Sequence, residues 1–249
     1  MSTLQAIPRS RFVPLCGTCN ARDLGGLPLA RGGETARGRI FRADAPLRRE
    51  DGDLVALRRL GITTVIDLRE PEEIALEPNA LATVEGISVH GVDVWGPMRA
   101  ARTPPFDPWD LPSMYVAAID HAGAAFARAV DLLAAADGAV LFHCTVGKDR
   151  TGLVAALLLE ALGVPRSAVV QDYALTHDRI DGVRARLLAR GERHGVRRED
   201  YLRVLGATPE VLMQALRHVD ERFSGAESYL LRAGADPGSL PRLAERLTP

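Results

Sequence analysis

GAVLFHCTVGKDRTGLVAALLLEALG, residues 138–163, is the stretch on which the fold turns. One apolar run, AVLF, precedes His143, and a second, LVAALLLEALG, begins at Leu153. The first has the length of a buried strand. The second is apolar almost all round, as in a helix buried beneath a sheet, and Gly163 and Pro165 suit its end. Between them lies CTVGKDRTG, polar and rich in glycine. A strand ending at His143, a tight loop and a helix starting near Arg150 place this segment at the carboxyl end of a sheet strand. That is where α/β sheets bind ligands.

The residue types in the loop select an anion. A helix N-terminus offers unpaired N–H groups and the positive end of a dipole. Gly147 and Gly152 let the backbone curl so that successive N–H groups point inward. Arg150 adds a planar fork that holds two oxygens of a phosphate. Cys144 sits at the base of the cradle, where dipoles and cations favour its thiolate. The expected result is a sulfur nucleophile facing a phosphorus atom whose oxygens the cradle neutralises.

Composition sets bounds around that site. The chain has 249 residues, 47% hydrophobic and 25% charged, with a net charge of −1. This is the composition of a soluble globular protein without a global field to draw nucleic acid or an acidic membrane. The longest apolar run, about 12 residues after Thr151, is too short to span a bilayer, so no stable membrane insertion is expected. The N-terminal MSTLQAIPRSRF lacks the apolar stretch of a signal peptide, which implies a cytoplasmic protein, with leaderless secretion left open. Three cysteines, Cys16, Cys19 and Cys144, argue against a disulfide framework. Cys16 and Cys19 form a lone C-x-x-C pair, read either as two half-buried thiols or as protection for a reactive Cys144.

Working outward, residues 24–43 read as a hairpin around the turn RGGETAR, 51–61 as a helix, 62–69 as a strand and 86–94 as another. Residues 95–113 carry Pro97, Pro104, Pro105, Pro108 and Pro112 and read as a loop. Residues 113–136 read as one long helix, and from 166 onward the pattern is helical throughout. The fold class is α/β: a central, mostly parallel sheet flanked by helices, with an N-terminal hairpin and an extra C-terminal helical layer. We read 1–249 as a single domain, with an α/β core over 1–165 and a helical lid and C-terminal helices over 166–249.

The spacing C-x5-R with Thr151 directly after it resembles the cysteine-based protein-tyrosine phosphatases, whose signature is H-C-x5-R-[ST]. The match runs through His143, Cys144, Arg150 and Thr151. GKDRTG (147–152), NARDLGG (20–26), GRIFRADAP (38–46) and VIDLREPEE (65–73) resemble a bacterial subgroup of dual- and triple-specificity phosphatases. VVQDYALT (169–176) and the C-terminal YLLRAGADPGSLPRLAERL resemble it too. The resemblance implies that Cys144 forms a phosphocysteine, Arg150 binds the equatorial oxygens, and the Thr151 hydroxyl steadies the departing thiolate. It implies phosphorylated protein as substrate, phosphoinositides through the extra lysine Lys148, and no cofactor. Thr145, Val146, Gly147 and Lys148 are then substrate-binding candidates, with Asp67 at the neighbouring strand end.

The proton donor is not unique in the sequence. The subgroup resemblance favours Asp149, while Asp67, Asp93, Asp107 and Asp110 are the other carboxylates near a strand end or in the proline-rich loop. Asp67 or Arg69 has a second reading as a buttress of the loop, and Arg22 and Asp23 as a brace or a hairpin lock. His143 reads as a tuner of Cys144 or as a packed side chain. The arginines at 179–198 read as a solvated face or as part of a lid. The remaining histidines show no metal-ligand spacing, so no metal is expected. Two rival functions stay in view: an inactive phosphate-binding relative, and a rhodanese-like sulfurtransferase, which also places a cysteine before a helix.

Overall fold

The computed structural model describes residues 11–15, 17–49, 51–100, 110–193 and 195–248. Cys16, Asp107 and the central prolines of the 95–113 segment lie outside them. Five strands form one sheet: β1 (Arg22–Asp23), β2 (Ile40–Ala43), β3 (Ile62–Asp67), β4 (Ser88–Gly91) and β5 (Ala139–His143), in the order β1-β2-β5-β3-β4. β2, β5, β3 and β4 run parallel, and only β1 is antiparallel to its neighbour. The expected α/β class holds, and β5 lies at the centre.

Period-two alternation assigns each strand residue to a face. Val140 and Phe142 enter the larger core, while Ala139 and Leu141 enter a smaller one with Phe41, Val65 and Leu57. The smaller core is covered by helix α1 (Asp51–Leu60) and the N-terminal arm, through Leu15 and Ala21. The larger is covered by α4 (Leu111–His121), α5 (Gly123–Ala135) and α6 (Asp149–Ala161). Each fully buried leucine of α6 contributes roughly 1.5–3 kcal/mol. The helix ends as its sequence demands: Gly163 takes φ +83°. Its N–H bonds Glu160 O at 3.0 Å, and Val164 N–H bonds Leu159 O at 2.9 Å, the Schellman pattern.

Three expectations change. The hairpin over 24–43 closes at its turn through an isolated bridge between Pro28 and Glu34, but its strand ladder is two residues long, Arg22 and Asp23 against Arg42 and Phe41. Asp23 closes the excursion between them by accepting from Gly25 N (2.8 Å) and Gly38 N (2.7 Å). The segment 95–113 is not all loop: Gly96–Ala100 forms helix α3, and α4 begins at Leu111. Pro97 and Pro112 sit in first turns, where a missing N–H costs little. The long helix over 113–136 is two helices broken at Ala122 (φ −104°, ψ 17°). The break follows from packing. A Cβ on Gly123 would lie 3.1 Å from the Ala233 Cβ and 3.5 Å from the Tyr229 hydroxyl, so helix α11 (Ala226–Arg232) and the residue after it sit directly on this point.

Past α6 the chain is helical, as expected: α7 (Arg166–Ala174), a 3-10 turn, α8 (Asp181–Arg193), α9 (Arg198–Leu205), α10 (Pro209–Phe223), α11 and α12 (Ser239–Leu247). α10, α11 and α12 bury Leu212, Leu216, Leu230 and Leu243 in the same core as α6. α8 and α9 have a small core of their own around Leu187, Leu188 and Leu205 and reach over the carboxyl end of β5. Among the described residues no helix is long and apolar enough to cross a membrane.

Candidate active site

The loop between β5 and α6 is shaped from behind. Gly147 has φ +70°, and a Cβ there would lie 2.4 Å from Ala43 O, so only glycine fits. Asn20 Nδ2 donates to Val146 O (3.1 Å) and Gly147 O (3.2 Å), and Arg42 Nη2 donates to Gly147 O (2.8 Å). In a trans peptide the N–H points opposite the carbonyl. Holding these two carbonyls at the rear therefore turns the Gly147 and Lys148 N–H groups toward the front. Cys144 lies buried at the base, and Thr151, in the first turn of α6, is buried with no partner for its hydroxyl among the described residues.

The rear is a knot of buried charge. Asp172 on α7 takes Arg11, Arg22 (Nε–Oδ1 3.2 Å) and Arg42 (Nη1–Oδ2 2.7 Å). All four side chains are buried. Other guanidinium donors go to Asp23 O (2.9 Å), Asn20 O (3.1 Å), Asp172 O (2.9 Å) and Thr176 Oγ1 (3.1 Å), while Arg11 Nε and Arg42 Nε have no partner among the described residues. Burial alone would raise the Asp172 carboxyl, but the three arginines hold it far below the ordinary carboxylate range. Arg22 thus braces the cradle, and Asp23 locks the hairpin.

Asp67, expected near the substrate, does not reach the cavity. It is buried and binds Arg69 (Nε–Oδ1 2.9 Å, Nη2–Oδ2 2.7 Å) and Asn79 (3.3 Å). The carboxylate points into the structure because Arg69, two residues on, folds back over it, which favours the buttress reading. Burial opposes its charge, but the Arg69 guanidinium holds its pKa below the ordinary value. His143 is buried, and burial pushes its imidazole pKa down, so it is neutral at pH 7. Its tautomer follows from its neighbours. Asn79 Oδ1 is committed to Leu81 N (2.9 Å), so Asn79 Nδ2 must face His143 Nε2 (2.8 Å). Nε2 is then the acceptor, and Nδ1–H donates to Cys144 O (3.2 Å).

Arg150 is placed by Glu73, a contact the sequence reading passed over although DLREPEE contains it. Glu73 is the third residue of helix α2 (Pro71–Leu76) and caps it by accepting from Glu70 N (3.1 Å). The same carboxylate binds both terminal nitrogens of Arg150, with Nη2–Oε1 at 3.1 Å, and accepts from Thr145 Oγ1 (2.5 Å). Trp95 lies 5.6 Å from the guanidinium carbon. Burial opposes the Glu73 charge, but Arg150 and Thr145 hold its pKa below the ordinary value.

In front of the loop is a cavity of about 270 Å³. The loop supplies Thr145, Val146, Lys148, Asp149 and Arg150; α4 supplies Leu111 and Met114; α8 and α9 supply Leu187, Arg190, Tyr201, Val204 and Leu205. α8 and α9 therefore cover the cavity. Arg186 and Arg190 of α8 bind Glu77, just past α2, at 3.3 and 3.2 Å. Lys148 does not project to solvent. It is buried, and its Nζ donates to Val204 O and Gly206 O (3.3 Å) at the end of α9, and lies 3.1 Å from Asp149 Oδ1. Among the carboxylates weighed as proton donor, Asp149 lines the cavity, whereas Asp93 caps α3 through Gly96 N (2.8 Å) and Asp110 caps α4. Among the described residues Asp149 accepts from no backbone N–H; its Oδ1 accepts from Tyr115 Oη at 2.8 Å. Among the described residues no three His, Cys, Asp or Glu side chains are grouped to hold a metal.

A buried cysteine beneath a loop whose carbonyls are held at the rear, beside an arginine aligned by a carboxylate, suits cysteine-dependent phosphate chemistry. Residues 13–249 match the model of the tyrosine phosphatase family, and the chain belongs to that family. It is 33% identical to a tyrosine-protein phosphatase of Nostoc commune, over 80% of this chain and 71% of the relative. It is 31% identical to the triple specificity protein phosphatase PtpB of Mycobacterium tuberculosis, over 92% of this chain and 96% of the relative. The crystal structure of P. aeruginosa TpbA aligns with a TM-score of 0.31 at 18% identity, covering 58% of this chain and 80% of that one, a likeness too slight to place any residue. The protein is a phosphatase of bacterial type, and sulfur transfer is set aside.

Proposed function

We propose that this enzyme hydrolyses phosphotyrosine in proteins through a phosphocysteine on Cys144. In the first step Cys144 Sγ forms the S–P bond while the P–O bond to the tyrosine breaks. The N–H groups of the loop and the Arg150 fork take the phosphoryl oxygens as their charge redistributes. Asp149 gives its proton to the leaving oxygen. In the second step a water oxygen forms the new bond to phosphorus, the P–S bond breaks, Asp149 takes the water proton, and the Thr151 hydroxyl, unpartnered among the described residues, donates a hydrogen bond to the departing thiolate. Glu73 aligns the Arg150 fork, and His143, through Nδ1–H, anchors the Cys144 carbonyl.

The observation that carries this reading is the loop itself: its carbonyls are held at the rear by Asn20 and Arg42, which leaves its N–H groups for an anion. The cavity walls Leu111, Met114, Leu187 and Leu205 suit an aryl ring above that anion. Lys148 supports a phosphoinositide substrate less directly than its sequence position suggests. A second phosphate must compete with the carbonyls of α9 for its ammonium. The shared core of α6 with α10, α11 and α12 supports one folding unit over the whole chain.

The test is hydrolysis of p-nitrophenyl phosphate in excess chelator, for wild type and Cys144→Ser. Turnover that persists in chelator and vanishes in the variant is expected. Absence of turnover in the folded wild type, with phosphate still bound, would instead identify a phosphate-binding relative. Comparing kcat/KM for phosphotyrosine peptides and phosphoinositides in wild type and Lys148→Ala then ranks the substrates. A loss confined to the lipids would restore the inositide role.

A further inference from the structure

Two buried phenols stand directly behind the proposed proton donor. Tyr115 comes from α4 and Tyr173 from α7, and both are fully buried. Their rings meet edge to face, 85° apart, with hydroxyl oxygens at 2.8 Å. Tyr115 Oη is also 2.8 Å from Asp149 Oδ1. A carboxylate only accepts and each phenol carries one proton, so the chain has one direction: Tyr173 donates to Tyr115, and Tyr115 donates to Asp149. Burial and the Asp149 charge raise both phenol pKa values, so both stay protonated. They are hydrogen-bond donors and not proton sources.

The contacts converge on one oxygen. Oδ1 of Asp149 takes the Tyr115 hydroxyl and lies 3.1 Å from Lys148 Nζ, while Oδ2 takes neither. We propose that Tyr115, steadied by Tyr173, is a positioning residue that occupies Asp149 Oδ1 and so fixes the transferable proton on Oδ2. This rests on Asp149 as the proton donor. With Oδ1 occupied, the acid proton resides on Oδ2. In the first step it passes from Oδ2 to the leaving oxygen as the P–O bond breaks. In the second, Oδ2 accepts a proton from the attacking water. Without Tyr115 the carboxyl turns about its last bond, and either oxygen carries the proton in geometries the leaving group does not meet.

The leaving group reads this out. p-Nitrophenolate departs with little help, whereas phenolate needs a proton. The quantity measured is the ratio of kcat/KM for phenyl phosphate to that for p-nitrophenyl phosphate, because kcat/KM reports phosphocysteine formation. The ratio is expected to fall by about 100-fold or more in Asp149→Asn and by about 10-fold in Tyr115→Phe, with a smaller fall in Tyr173→Phe. An unchanged ratio in Asp149→Asn overturns the proton-donor reading itself. A fall in Asp149→Asn with an unchanged ratio in Tyr115→Phe overturns the positioning role alone. Equal losses on both substrates in Tyr115→Phe assign the phenol to packing and overturn it likewise. Thermal unfolding of each variant identifies loss of fold, and in that event Tyr173→Phe, which keeps the Tyr115–Asp149 bond, decides: an unchanged ratio there overturns the proposal.

Discussion

The rear and the mouth of the cradle are both held by charged groups, but in opposite ways. Behind the loop, Asp172 and its three arginines are sealed from water. At the mouth, Glu77 meets Arg186 and Arg190 with all three side chains partly exposed. Buried charge is strongly directional and ruinous to leave half-paired, so it fixes the loop carbonyls in one place. Exposed charge is screened and weak, so it ties α8 to the end of α2 only loosely.

The contrast is sharpest when each side is broken. Asp172→Ala leaves three guanidinium groups sharing no carboxylate, and is expected to cost about 3–5 kcal/mol, a large share of a domain's stability. Urea unfolding measures it, and a loss below 1 kcal/mol would mean that water enters the knot. Arg150→Lys keeps the charge at the front but loses the fork matched to Glu73 and phosphate. kcat/KM on p-nitrophenyl phosphate should fall on the order of 10²–10³-fold.

Asp44 offers a pH test of the rear. It accepts from Cys19 N (2.9 Å) and Asn20 N (2.8 Å), and burial, partly offset by these bonds, pushes its pKa from 3.8 up to about 6. The folded state therefore binds a proton that the unfolded chain releases across this interval, and Asp44 adds stability as pH falls from about 6 toward 4. Two units correspond to about 3 kcal/mol. Stability of wild type relative to Asp44→Asn should rise over that range, in chemical denaturation at each pH. A difference independent of pH refutes the assignment. The smallest effect belongs to the mouth. Glu77→Gln should change stability by less than about 1 kcal/mol, yet iodoacetamide should reach Cys144 faster. An unchanged alkylation rate would mean that these pairs do not hold α8 over the cavity.

What the sequence revealed follows the same division. β5, the loop and α6 were legible because apolar periodicity and C-x5-R are local. NARDLGG and DLREPEE were visible as motifs, but not as the donors and acceptors they supply. Glu73 meets Arg150 from 77 positions away, and Asp172 meets Arg42 from 130. No periodicity encodes such a pairing. The break at Ala122 escaped for the same reason, since a run of alanines with one glycine is good helix locally and is interrupted only by α11. Lys148 was read against substrate or solvent because nothing local announces that α9 ends above it. Tyr115 lies within the segment read as one long helix, and nothing in that pattern pairs its hydroxyl with Asp149, 34 positions on.

The seat of Lys148 has a bearing on inhibitor discovery. A compound filling the pocket must either fit within about 270 Å³ beneath α8 and α9 or favour a conformation in which the ammonium has left the end of α9. For the second kind, measured potency is the intrinsic potency scaled by the fraction of molecules already ajar. Screening against a form with α8 less tightly tied, such as Glu77→Gln, would recover scaffolds that the native enzyme masks.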